Sequence, residues 1–128
     1  MKRIILEMGT GNDLYGEDYT KAACRAVDDA LHHSSLIIFR SLNFDHREMD
    51  VSVTIAVQQP SKVNPTKVAT RLPRGNVRVQ VVFGGLDIVD NEHDTKSVLA
   101  TAAVEAFLDI DEKQWVSNST EIDQGTDT

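Results

Sequence analysis

The sequence predicts an α+β fold, with two helices packed on one face of a mixed sheet of about four strands. Three observations carry that prediction. Val51, Val53, Ile55 and Val57, and again Val77, Val79, Val81 and Phe83, sit at alternating positions, the period of a strand with one buried face. Two alanine-rich segments, ending near Leu31 and Phe107, carry apolar pairs that repeat every four residues, a helical stripe. An apolar run before Gly9 supplies a further strand, so strands and helices interleave around one core.

In chain order, Ile4 to Met8 reads as a short buried strand that stops at Gly9. Asp18 is a candidate N-cap for a helix whose stripe is Ala22, Ala23, Ala26, Val27, Ala30 and Leu31. Arg25 and Asp29 have the spacing of a surface ion pair on that helix. Leu36 to Leu42 is apolar enough for another strand. Gln58-Gln59-Pro60 ends the strand at Val57, and residues 60–76 read as a long turn closed by Pro73-Arg74-Gly75-Asn76. The strand from Val77 stops at Gly84-Gly85. Thr95 to Leu108 is predicted as the second helix, with Val98, Leu99, Ala102, Ala103, Ala106 and Phe107 on its stripe. Residues 1–116 are expected to form a single α+β domain. Residues 117–128 are polar and acidic and read as a disordered tail.

Charge narrows the partners. The net charge is −7, of which −5 belongs to residues 109–128, so the rest is nearly balanced. No basic excess marks a nucleic-acid surface. No apolar run is long enough to span a membrane, and the N-terminus is too short in apolar residues for a signal peptide, which places the protein in the cytoplasm. The single cysteine, Cys24, permits no intrachain disulfide and reads as a small buried side chain. The strands carry more apolar residues than two helices on one face can cover. That predicts a homo-oligomer.

The sharpest chemical feature is Gly9-Thr10-Gly11-Asn12-Asp13-Leu14-Tyr15-Gly16, read as a glycine-rich loop before the first helix. Glycines there let backbone amides approach a ligand. A dinucleotide fingerprint fails at Leu14, where a third glycine is needed. A phosphate loop fails at Glu17 and Asp18, which stand where Lys and Ser or Thr belong. What remains is an acidic turn. Asp13 is the candidate acid–base group, and Gly9, Thr10, Gly11, Asn12, Tyr15 and Gly16 are candidate ligand contacts. Lys21, Arg25 and Arg74 are candidate cationic contacts, Arg74 within a run of bases (Lys62, Lys67, Arg71, Arg74, Arg78) that holds no acid. The structural alternative is that Asp13 and Asp18 only cap backbone amides. The histidines show no zinc spacing, so neither a metal nor a cofactor is expected.

The stretch from Gly9 to Leu36 resembles a small family of conserved hypothetical proteins, first defined on a Listeria protein and marked by Gly-x-Gly-x-Asp-x-His-Gly. This chain matches at Gly9, Gly11, Asp13 and Gly16 and carries Tyr15 at the histidine position. The similarity continues through Asp18-Tyr19-Thr20-Lys21-Ala22-Ala23, Leu72-Pro73-Arg74-Gly75 and Gly84-Gly85. The resemblance implies no activity, and a role needing imidazole could not be filled by Tyr15. At the level of fold, the layout is similar to chorismate mutase-like and YjgF-like proteins, which form rings with pockets between subunits. Fold alone does not carry function. Two readings follow: a protein that binds or transforms a polar or anionic metabolite at the Gly9–Gly16 segment, between subunits in an oligomer, or a non-catalytic oligomeric module in which that segment is only a turn.

Overall fold

The computed structural model describes residues 1–32, 49–72 and 75–108. The expectations for Leu36–Leu42, Arg74 and the acidic tail lie outside them. The described chain forms β1 (Lys2–Asp13), α1 (Tyr19–His32), β2 (Asp50–Val57), a 3-10 turn (Pro60–Lys62), the short helix α2 (Pro65–Ala69), β3 (Asn76–Phe83), β4 (Leu86–Asp90) and β5 (Thr95–Leu108).

The architecture is α+β, with both helices on one face of a mixed sheet of five strands among the described residues. The order is β1-β5-β2-β3. β5 is antiparallel to β1 from Lys2↔Leu108 to Asp13↔Val98, and to β2 from Asp50↔Phe107 to Ala56↔Thr101. β4 continues along the same side of β5, from Leu86↔Leu99 to Asp90↔Thr95. β2 and β3 are parallel, and the chain between them supplies the crossover that parallel neighbours need. Gly85, at φ +65°, turns the chain from β3 into β4 where a Cβ would lie 2.3 Å from the Leu99 carbonyl oxygen.

Several elements follow the sequence reading. β2 buries Val51, Val53, Ile55 and Val57 and leaves Asp50, Ser52, Thr54 and Ala56 half-buried. α1 buries Ala22, Ala23, Ala26, Val27 and Ala30. Its N-cap is Asp18, whose Oδ1 accepts the Lys21 N–H at 3.0 Å. In the expected long turn, proline opens both short helical pieces. Asn64 caps α2 by accepting from the Thr66 and Lys67 amides.

Two expectations are corrected. Thr95–Leu108 is not a helix but β5, the strand between β1 and the β2–β4 edge. Its buried residues are Val98, Ala100, Ala102, Val104, Ala106 and Leu108, a period of two. Alanine satisfies either period, and hydrogen-bonded neighbours on both sides override its weak strand preference. β1 does not stop at Gly9 but runs to Asp13, so only Leu14, Tyr15 and Gly16 of the supposed loop form a bend.

The reason for the glycines is helix packing. A Cβ on Gly9 would lie 2.4 Å from Ala30 N and 2.5 Å from Ala26 O. A Cβ on Gly11 would lie 2.3 Å from Ala26 N and 2.4 Å from Ala22 O. Both glycines sit in a strand because the backbone of α1 lies directly on them. The close approach expected toward a ligand is made toward the protein's own helix.

Candidate functional site

The period of two places Gly9, Gly11 and Asp13 on the helix-facing side of β1. Asp13 is 7% exposed. Its Oδ2 accepts the Asp18 N–H at 3.0 Å, and its Oδ1 lies 3.6 Å from Arg25 Nη1. The bend from Leu14 to Glu17 folds over this carboxylate. A Cβ on Gly16 would come within 2.5 Å of Asp13 Oδ2. Glu17 takes φ +52°, and Ser97 Oγ donates to the Leu14 carbonyl at 3.0 Å. Asp13 thus joins the end of β1 to the start of α1. Tyr15 projects outward, 81% exposed.

Arg25 also donates to the Asn12 carbonyl at 2.6 Å, and Asp29 accepts the Thr10 N–H at 2.9 Å. These two groups lie on the outer edge of β1, so one face of α1 covers that edge. Lys21 is exposed beside the N-cap. Of the basic run, Arg71 reaches α1, where Nε donates to Asp28 Oδ1 at 2.9 Å and Nη2 to Asp28 Oδ2. That ion pair, rather than a pocket facing Asp13, is where the structure takes Arg71. Cys24 is half-buried, its thiol donating weakly to the Lys67 carbonyl at 3.9 Å. Burial pushes that thiol up from its ordinary range, which leaves it a poor nucleophile.

Sequence reasoning missed a polar cluster at the same end of the sheet. Tyr19 is 2% exposed. Its hydroxyl donates to Asp87 Oδ2 and accepts from Gln59 Nε2 at 3.1 Å. Lys96 Nζ lies 3.7 Å from Asp87 Oδ2 and 5.4 Å from the Tyr19 ring centroid. Burial, reinforced by the Asp87 bond, pushes the Tyr19 phenol up. The adjoining Tyr19 hydroxyl raises Lys96. Asp87 Oδ1 is buried without a hydrogen-bond partner among the described residues. The four residues come from four segments, so no local motif announces them.

On the β4–β5 turn, Asp90, Glu92 and His93 bring potential ligand atoms within 4.8 Å of one another. Their bonds are those of a turn. Asp90 Oδ2 lies 2.8 Å from the His93 ring, and Oδ1 accepts from the Glu92 and His93 amides. The His93 contact holds the Asp90 carboxyl below its usual range.

The helix-free face is different in kind. The register puts Leu6, Met8 and Thr10 of β1 there, with Thr54 and Ala56 of β2, Leu86 and Ile88 of β4, and Leu99, Thr101 and Ala103 of β5. Leu6 is 45% exposed, Met8 70%, Leu86 50% and Ile88 59%. A groove of about 530 Å³ crosses the middle of this face. Its floor is small because Thr54, Ala56, Thr101 and Ala103 meet there, and Met8, Gly9, Thr10 and Asp29 line its β1 side. Gly9 and Thr10 are therefore the members of the expected site that reach a concave surface.

These features define a small α+β domain with helices on one side, an apolar sheet face on the other, and a fastened strand–helix junction. The chain belongs to the family described as "Conserved hypothetical protein (Lin0512_fam)", which it matches over residues 3–106. It is similar to the crystal structure of an FtsZ-like protein of unknown function from Nostoc punctiforme, at 33% identity and a TM-score of 0.73. The similarity covers 84% of this chain and 95% of that one. No curated protein matches the sequence. Among the described residues no helix is long and apolar enough to cross a membrane.

Proposed function

We propose that this chain is a homo-oligomeric ligand-binding module whose site is the groove on the helix-free face, closed by a second copy. The observation that carries this reading is the exposure of Leu6, Met8, Leu86 and Ile88 on one face around a groove of about 530 Å³. Exposed large apolar residues grouped on a face signal association. The groove volume falls within the range of small-molecule sites, roughly 300–1,000 Å³. The middle of the face carries threonine hydroxyls but no charge, so it suits a small, weakly polar ligand better than an anion. Asp29, at the β1 side, is already bonded to the Thr10 amide.

The reading keeps Gly9 and Thr10 at the site and gives Asp13 the role of a fastener, supported by its burial and its bond to the Asp18 amide. Met8→Asp and Ile88→Asp place charge on the association face without touching the helix-side core. Sedimentation equilibrium should show an oligomer for the parent and a smaller assembly for the variants, with circular dichroism unchanged. A parent that is monomeric at every concentration would overturn the proposal. Thr101→Leu fills the groove floor. It should abolish thermal stabilisation by any small molecule that shifts the parent's melting temperature.

A further inference from the structure

The strands at the two ends of the order β1-β5-β2-β3 are treated differently. On β1, Asp29 occupies the outward N–H of Thr10, and Arg25 occupies the outward C=O of Asn12. On β3 no strand or helix pairs with the outer edge among the described residues.

Which groups that edge presents follows from the ladder. Asn76 N donates to Met49 O at 2.8 Å, and Gly84 N donates to Val57 O at 2.9 Å. Strand residues two apart present their peptide groups to the same side. Asn76, Arg78, Gln80, Val82 and Gly84 therefore bond to β2, and Val77, Val79, Val81 and Phe83 turn their N–H and C=O groups outward. The strand contains no proline, no acid and one base, Arg78. Phe83, at its end, is 72% exposed. A regular, weakly charged edge of this kind is a template for another strand.

We infer that β3 is a second self-association surface, at which two copies pair antiparallel about a two-fold axis at Val79. The occupant is another β3 because the strand complements itself in that register. Val79 faces the partner's Val79 as a hydrogen-bonded pair, and Val77 faces the partner's Val81. Arg78 faces the partner's Gln80, whose amide oxygen accepts from the guanidinium, so no like charges stand opposite each other. Shifting the axis to Arg78 would set two guanidiniums face to face. The contact extends the sheet edge to edge and does not depend on the helix-free face, so the two surfaces are tested separately.

Cysteine cross-linking in a Cys24→Ser background reads the register. Paired Val79 residues stand with Cα atoms about 5.5 Å apart, within disulfide reach. Val79→Cys should give a disulfide dimer on mild oxidation. Val77→Cys, displaced by four residues from its own copy, should not. Met8→Asp, which acts on the other face, should leave the Val79→Cys cross-link in place. Val79→Pro removes an outward N–H that the β2 ladder does not use. It should lower the assembly state of the parent, with Val81→Pro as a second variant should the first fail to fold. Failure of Val79→Cys to cross-link, equal cross-linking at Val77 and Val79, or protection of the outward β3 amides from hydrogen exchange in a proven monomer would each overturn the inference.

Discussion

Gly11→Ala separates a glycine that admits a helix from one that admits a ligand. The added Cβ would stand 2.3 Å from Ala26 N, 2.4 Å from Ala22 O and 2.7 Å from the Arg25 carbonyl carbon. Ordinary contact needs about 3.5 Å, so α1 must retreat by about 1 Å. All three obstructions are backbone atoms, and no rotamer change relieves them. The retreat thins the contacts of Ala22, Ala23 and Ala26, all fully buried. A gap of that size forfeits a quarter to a half of each contact's attraction. Overpacking costs about 1–3 kcal/mol, and a rigid backbone obstacle places this case at the upper end. Removing glycine from the unfolded chain returns about 0.4–1 kcal/mol. The net expectation is a loss of about 2 kcal/mol. In urea, with a slope of about 1–3 kcal/mol/M, the midpoint falls by roughly 1 M at unchanged slope. Gly9→Ala should behave alike. Gly16→Ala meets only the Asp13 side chain, at 2.5 Å, and should lose less. An unchanged urea midpoint in Gly11→Ala would refute the packing account, and loss of ligand binding at full stability would return Gly11 to the site.

Other expectations follow from named bonds. Asp13→Ala leaves the Asp18 amide without its acceptor and should lower stability by about 1 kcal/mol, whereas Asp13→Asn retains an acceptor and should lose less, both read by urea unfolding. Tyr19→Phe removes the Asp87 bond from a carboxylate that already has one unpartnered oxygen; thermal unfolding should report a loss of about 1–3 kcal/mol. Tyr19 and Lys96 are both raised from their ordinary values of 10.0 and 10.5. Stability from each is therefore complete below its unfolded value and lost as pH rises through its folded value, so the parent should weaken on the alkaline side and Tyr19→Phe should show a flatter alkaline limb. Arg25→Ala combined with Asp29→Ala uncovers the outward groups of Asn12 and Thr10; light scattering should then show new concentration-dependent assembly through β1.

Legibility in the sequence depended on whether a residue type commits to one period. Valine at 51, 53, 57, 77, 79 and 81 is a strand former in a strand pattern, and β2 and β3 were plain. The α1 stripe was plain for the matching reason, alanine in adjacent pairs behind an Asp cap. β5 was ambiguous because its alanines fit both patterns. The even-numbered set Val98, Ala100, Ala102, Val104, Ala106 and Leu108 was present, but the pairs at 98–99, 102–103 and 106–107 looked as regular. Only the neighbours on either side of β5 decide between them, and they lie far away in sequence. The Tyr19–Gln59–Asp87–Lys96 cluster was hidden for the same reason.

The glycine motif was visible and its period was misjudged. Gly9, Gly11 and Asp13 stand two apart, the spacing of one strand face, yet glycine richness suggested a loop. On the strand, each has a use internal to the fold: two glycines receive α1, and the aspartate ties β1 to its first turn. Gly16 keeps the bend clear of that carboxylate. Tyr15 is the position in this stretch with no such use; it points outward. A motif whose other members fold the junction leaves position 15 free to vary with function. Tyr15→His should therefore leave the urea midpoint within about 0.5 kcal/mol of the parent, as surface substitutions do. A larger loss would mean that Tyr15 also holds the bend.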